Sequence, residues 1–249
     1  MKTVFLVILG LTLGALVTTF VLTSLGQAPE VVINATDRVS DRLTQGIAPE
    51  ESAPELTEAQ KITAAVRAVT PSTVTIHTLD GLDETLTGQE ISALLAQTFV
   101  ARGVMVSADG ADAVRVISAA GALEDGETYS VQIPGQKGVF AVRDVERTDS
   151  IVSFLITAQN VRVANVGSDD VAANDPVVAL GGTMDLQIAA NVIKGVETVG
   201  DVQTITTAIP TALTVGTPLV NIEAEVVGLA PVKAEQAGPA TFIGLEDTF

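Results

Sequence analysis

The sequence predicts an all-β fold, an antiparallel barrel or sandwich, and three observations carry that prediction. Apolar residues make up 47% of the 249 residues but aromatics only 3%. The core must therefore come from Val, Ile, Leu and Ala, and β-branched side chains suit a pleated, half-buried surface. Beyond residue 97 the chain is a succession of short apolar runs: "TFVARGVMVS", "AVRVIS", "TYSVQIP", "GVFAVRDVE", "SIVSFLI", "DPVVALG", "LQIAANVIKGVETV", "VQTITTAI" and "PLVNIEAEVVGLAPV". Turn pairs stand between them at Asp109-Gly110, Asp125-Gly126, Pro134-Gly135 and Gly181-Gly182. Many short strands with regular turn chemistry argue for a closed or double-layered antiparallel architecture.

The elements before residue 97 differ in kind. Between Lys2 and Glu30 there is no charge, and the apolar run Val4–Leu25 is 22 residues long. About 20 apolar residues span a bilayer as a helix, so residues 1–26 are expected to form an uncleaved transmembrane anchor. Gly26-Gln27-Ala28 imitates a signal-peptide cut, but the apolar run is long for a cleaved signal. Lys2 as the only basic flank places the N-terminus in the cytoplasm and the rest of the chain outside it, in the periplasm or at the cell surface. Residues 27–56, rich in Pro, Glu, Ala and Asp, are expected to be an extended acidic linker. Thr57-Glu58-Ala59-Gln60 is a capping-box pattern that opens a short helix through Ile62, Val66 and Val69, ended by Pro71. "STVTIHTL" (72–79) alternates as a strand. Thr87-Gly88-Gln89-Glu90 is a second capping box, opening a short helix through Leu94 and Leu95.

Composition excludes several function classes. A net charge of −17 repels nucleic acid and anionic lipid headgroups. The acidity reads first as solubility, and second as a preference for a cationic partner. No cysteine is present, which removes disulfides, thiol catalysis and thiolate metal sites. His77 is the only histidine, so a multi-histidine metal site is excluded as well. No cofactor is expected.

Seven segments in order resemble the protease domain of HtrA/DegP-type trypsin-like serine proteases. "ITAAVRAVTPSTVTI" is similar to that family's opening helix and first strand, AVxxVxPAVVxI, and "RGVMVSADG" to its GSGFIISxDG hairpin. "VISAAGAL" is similar to ILTNAHVV, and "RTDSIVSFLI" to xTDLAVLKI. "VANVGSDDVAANDPVVALGGTMDLQIAANVIKGVETVG" resembles the family's long segment from LPxAxLGDSD to GIVSxxxR. "TVGTPLVNIEAEVVGL" resembles NSGGPLVNxxGxVIGI, and "GPATFIGLED" the closing GIGFAIP. No single segment is specific; the order over roughly residues 60–246 is. The resemblance implies a trypsin-like double six-stranded antiparallel β-barrel over residues 57–249, with an active site between the barrels. No PDZ-type module is expected within these residues.

The departures from the family pattern decide the expected function. In that family Ser, His and Asp act as a unit, with His taking the serine proton and Asp orienting the imidazolium. On this resemblance Asp149 stands at the Asp position, Gly121 at the His position and Val215 at the Ser position. Neither Gly121 nor Val215 can relay a proton or attack a carbonyl. Residues 169–249 contain no serine, so no shift of register restores one. Leu213-Thr214-Val215, followed by Gly216, replaces the glycine-rich turn that forms the family's oxyanion hole. A bulky Leu213 resists positive φ, which opposes a formed hole.

Other candidates weigh less. Asp149 without its histidine is expected to be a turn or strand-start carboxylate. His77 is expected to be a half-buried strand histidine. As a relocated base it would need a serine such as Ser118 close by. Asp169-Asp170 with Asn174 and Asp175 offers oxygens for calcium but not the D-x-D-x-D-G spacing. Lys194, for a Ser–Lys mechanism, lies on an expected strand beside Gly195. Gly181-Gly182 is a turn, not a phosphate cradle, because no helix follows.

The expected protein is thus a membrane-anchored, catalytically inactive protease homologue. It would bind an unidentified peptide or protein, through β-strand addition or as a scaffold. Self-association into a homo-oligomer stays open. Two rivals remain at this stage: an active hydrolase with a displaced site around His77, and an all-β adhesion domain built as a sandwich.

Overall fold

The computed structural model describes residues 56–79, 81–82, 85–109, 112–167, 171–183, 185–200, 202–210, 213–231 and 239–245. The expected membrane anchor at 4–25 and nearly all of the linker lie outside these residues. Among the described residues no helix is long and apolar enough to cross a membrane.

Both predicted capping boxes form. Helix α1 (Glu58–Val69) starts where the Thr57 hydroxyl accepts from Gln60 N, while Thr57 N donates to Gln60 Oε1 at 2.8 Å. Pro71 then forces a short 3-10 turn at Thr70–Ser72, since proline cannot continue the helical ladder. Helix α2 (Gly88–Thr98) starts the same way at Thr87. There the Thr87 backbone N–H, followed by its hydroxyl, holds the Glu90 carboxyl below its ordinary range.

The first barrel runs through β1 (Thr73–His77), β2 (Phe99–Asp109), β3 (Ala113–Ala119), β4 (Ser130–Gln132), β5 (Phe140–Ala141), β6 (Arg143–Arg147) and β7 (Ile151–Thr157). Its sheet order is β5-β4-β1-β2-β3-β7-β6. The run predicted as "GVFAVRDVE" is not one regular strand. It breaks at Val142, and Asp144 takes a φ of 49°. Its first part pairs with β4 and its second with β7, so residues 140–147 close the ring. "TYSVQIP" shrinks to the three residues of β4.

The second barrel holds β8 (Asn165–Val166), β9 (Pro176–Gly181), β10 (Gln187–Val199), β11 (Val202–Pro210), β12 (Pro218–Asn221), β13 (Glu225–Leu229) and β14 (Pro239–Gly244). The ring β12-β9-β10-β11-β14-β13 closes through the β12–β13 pairing. The expected single run 218–232 is therefore a hairpin. Its turn carries no Gly or Pro; Ala224 takes a φ of 66°, and the Asn221 side chain clamps Glu225. Two closed barrels replace the sandwich that an adhesion domain would have needed.

Strand alternation sends neighbouring residues into different cores. Met105, Val116 and Phe154 fill barrel 1, and Val177, Ala179, Leu219 and Phe242 fill barrel 2. The residues next to them, Val104, Ile117, Val178, Leu180 and Val220, meet in a third core between the barrels, joined by Ala65 and Val69 of α1. Burying both faces of these strands explains their continuous apolar runs.

Phe154 and Phe242 are both fully buried. Phe154→Ala and Phe242→Ala are each expected to cost about 3–5 kcal/mol. Because the shared middle core couples the barrels, each variant should lower the midpoint of one common urea transition. Two separated transitions in either variant would contradict this coupling.

Candidate functional site

The candidate positions gather where the barrels meet. Strand β3 ends in a single 3-10 turn, Ala120–Ala122, with Gly121 exposed at its middle. Arg147 secures this turn by donating from Nη1 to Leu123 O at 2.8 Å and Ala120 O at 3.4 Å. Ala120 N donates to Ser150 O at 3.0 Å, which brings the β6–β7 turn carrying Asp149 alongside. The side chain that caps that turn is Thr148, whose hydroxyl accepts from Ile151 N at 3.0 Å. Asp149 itself stands exposed.

The turn 213–217 reaches the same place from barrel 2. Leu213 is buried in the barrel 2 core and Val215 packs on the barrel 1 core, so the turn straddles both. Arg102 N donates to Val215 O at 2.8 Å, and Gly216 N donates to Ala230 O at 2.8 Å. The positive φ expected to trouble Leu213 falls instead on Gly216, at 73°. Gly216 has no room for a side chain: a Cβ there would collide with Arg102 O and Ser118 Oγ. Gly121 is the opposite case, since a Cβ would meet only Pro231 O at 3.7 Å. Pro231 follows Ala230, the partner of Gly216. The structure therefore brings the surroundings of Gly121, Asp149 and Val215 together.

Arg102 is the functional-region residue that sequence reasoning missed. Arg102 and Val104 lie two apart on β2, the spacing that puts side chains on one face, and Val104 belongs to the inter-barrel core. Its side chain crosses to barrel 2, donating from Nε to Gly182 O at 2.7 Å and from Nη2 to Thr183 O at 3.0 Å. It is only 3% exposed, and burial lowers its pKa to about 10, still far above neutral pH, so it stays charged. Carbonyl oxygens rather than a carboxylate solvate it. Thr214 Oγ1 adds a bond to Gly182 O at 3.3 Å and lies 3.1 Å from Thr217 Oγ1. The signal was a lone arginine inside an apolar strand pattern. Gly182 takes a φ of 86°, as its turn role requires.

The remaining candidates are not brought to this place. His77 is fully rather than half buried, with the C-terminal end of α2 against its ring through Thr98 and the Leu95 backbone. Its Nε2 lies 2.9 Å from Thr75 Oγ1 and its Nδ1 3.4 Å from Thr98 Oγ1, with Phe99 edge-on to the ring. Ser118 is buried and donates to Arg102 O at 2.6 Å, so it does not meet His77. Lys194 is exposed at a bulge of β10. Asp175 accepts from Ala172 N at 2.7 Å and shapes the loop before β9, while Asp169-Asp170 lie outside the described residues. Among the described residues, no group of His, Cys, Asp and Glu is placed to hold a metal ion.

No protein-family profile matches this sequence. No curated protein sequence matches it either. Solved structures do match. A serine endoprotease from Yersinia pestis superposes with a TM-score of 0.55 at 16% identity, covering 74% of this chain and 62% of that one. An HtrA-type protease solved with a decapeptide superposes with a TM-score of 0.55 at 12% identity, covering 74% of this chain and 63% of that one. This chain spans less than two thirds of either, and the likeness is one of fold.

Two outcomes follow from this geometry. Gly216→Ala should destabilise the protein by about 3 kcal/mol or more in urea unfolding, through steric collision and positive φ together; a loss under about 1 kcal/mol would contradict the close approach. Burial pushes the His77 imidazole below its ordinary 6.5, opposed by a backbone contact to Leu95. Below pH 6.5 the unfolded chain takes up a proton that the folded ring refuses, so stability falls as pH drops through that window. The His77→Gln variant should lose less of its urea midpoint between pH 7.5 and 5.5 than the parent, and equal losses would refute the assignment.

Proposed function

From a trypsin-like double-barrel fold shared with HtrA-type serine proteases, we propose that this chain is a catalytically inactive homologue of those enzymes. Its work is to bind peptide or protein segments outside the cytoplasm, held at the membrane through residues 4–25. The observation that carries the reading is Val215. It occupies the turn between the barrels with its side chain on the barrel 1 core and its carbonyl bonded to Arg102. An apolar β-branched side chain is no nucleophile in any protonation state. Gly121, at the end of β3, offers no base. Members of a catalytic triad act together, so losing two of them removes most of the effect. His77 supports no displaced site, since its ring is enclosed by Thr75, Thr98 and Phe99.

Binding is the activity left to such a fold. An extended segment adds to a sheet edge through main-chain hydrogen bonds, which need no catalytic group. An HtrA-type protease of this fold has been solved with a decapeptide.

The test uses the full chain in detergent, a serine-reactive fluorophosphonate probe and a casein-cleavage assay. The parent chain is expected to show neither labelling nor cleavage. The open space at Gly121 accepts a larger side chain, so Gly121→His combined with Val215→Ser is expected to gain labelling. Stoichiometric labelling and cleavage by the parent would overturn the reading.

A further inference from the structure

Barrel 2 carries a second feature at the opposite ends of the strands that reach the Val215 turn. Strand β9 runs from Pro176 to Gly181 and β12 from Pro218 to Asn221. The turn and Gly182 stand at the Gly181 and Pro218 ends. At the Pro176 and Asn221 ends lies a cavity of about 300 Å³. Five residue steps along β9 separate the two places, about 17 Å.

Val171, Pro176, Val177 and Ile222 give the cavity an apolar wall, and Asp175, Glu223 and Glu225 give it three carboxylates. We propose that this cavity binds the side chain of an arginine or lysine in an exposed segment of a protein partner. A cavity of this size holds one long side chain, whose methylene stem lies on the apolar wall while its head reaches the carboxylates.

Two of the carboxylates are already anchored. Asp175 Oδ2 accepts from Ala172 N at 2.7 Å, and Glu225 Oε2 accepts from Asn221 Nδ2 at 2.9 Å. Glu225 N in turn donates to Asn221 Oδ1 at 2.8 Å, so the β12–β13 turn is clamped from both directions. A wall fixed before binding loses little freedom on binding. Among the described residues no group of acidic side chains is placed to hold a metal ion. Carboxylates spaced around a hollow with one apolar side suit an elongated cation better than a compact divalent one. The net charge of −17 attracts a basic segment over long range and repels an anionic one. The inference stands whether or not Val215 has replaced a nucleophile, because the two places share no residue.

The test titrates the full chain in detergent with the peptide acetyl-Ala-Val-Arg-Val-Ala-amide by calorimetry. A second peptide carries citrulline, the neutral isostere, in place of arginine. The arginine peptide should bind, and the citrulline peptide about tenfold more weakly or worse. Combining Asp175→Asn, Glu223→Gln and Glu225→Gln should weaken the arginine peptide by a similar factor. Combining Glu58→Gln, Glu124→Gln and Glu127→Gln removes the same charge elsewhere and should change affinity less than about twofold. Methyl resonances of Val177 and Ile222 in the parent chain should shift on titration, a readout that does not depend on how the variants fold. Absence of binding, equal binding of the citrulline peptide, equal weakening by both sets of substitutions, or unshifted methyls would each overturn the proposal.

Discussion

The structure depends on a layer that belongs to neither barrel. Val104 and Ile117 from barrel 1, Val178, Leu180 and Val220 from barrel 2, and Ala65 and Val69 from α1 pack into one core. Each strand involved buries side chains on both faces, and period-two alternation decides which core a residue joins. A shift of one residue in β9 would exchange Val177 and Ala179 with Val178 and Leu180, moving each set to the wrong layer. Register, barrel closure and the placement of the junction between the barrels are thus one constraint.

The junction around the turn 213–217 inherits its geometry from this layer. The turn 213–217 reaches both barrel interiors, and Gly216 lets it approach β2 and β3 more closely than any side chain would permit. Arg102 supplies the polar counterpart, tying β2 to the loop after β9 without any ion pair. A buried guanidinium satisfied by fixed carbonyl dipoles keeps its charge at a desolvation cost that only good geometry offsets. The result is a well-determined junction whose chemical groups are mostly backbone.

Much of this was legible in the sequence. Both helix starts came from local pattern, because a capping box needs only four residues to declare itself. The strands came from alternation and turn pairs, and the double barrel from the order of seven motif-like segments. What escaped had physical reasons. The β12–β13 hairpin was hidden because Ala224 takes a left-handed conformation that its residue type does not advertise. The register shift inside β6 was hidden by Asp144 in the same way. His77 was expected to be half buried because its enclosure by Thr98, Leu95 and Phe99, about 20 residues along the chain, is a tertiary fact. Arg102 was unreadable because its acceptors lie 80 and 81 residues along the chain. The positions of Gly121, Asp149 and Val215 were readable only through resemblance; nothing in their own neighbourhoods marks them.

Helix α1 has a consequence for how the chain is made. It is the first element among the described residues, yet the strands its buried face packs against, β9 and β12, begin only at residues 176 and 218. Barrel 1 has all its strands by residue 157. At synthesis rates of about 5–20 residues per second, the apolar stripe of α1 waits on the order of ten seconds for its partners. Over that interval Val104 and Ile117 of barrel 1, which share this core, also lack their barrel 2 partners. The nascent chain therefore passes through a half-built stage that shows a contiguous oily face, and completion of the second half is what hides it.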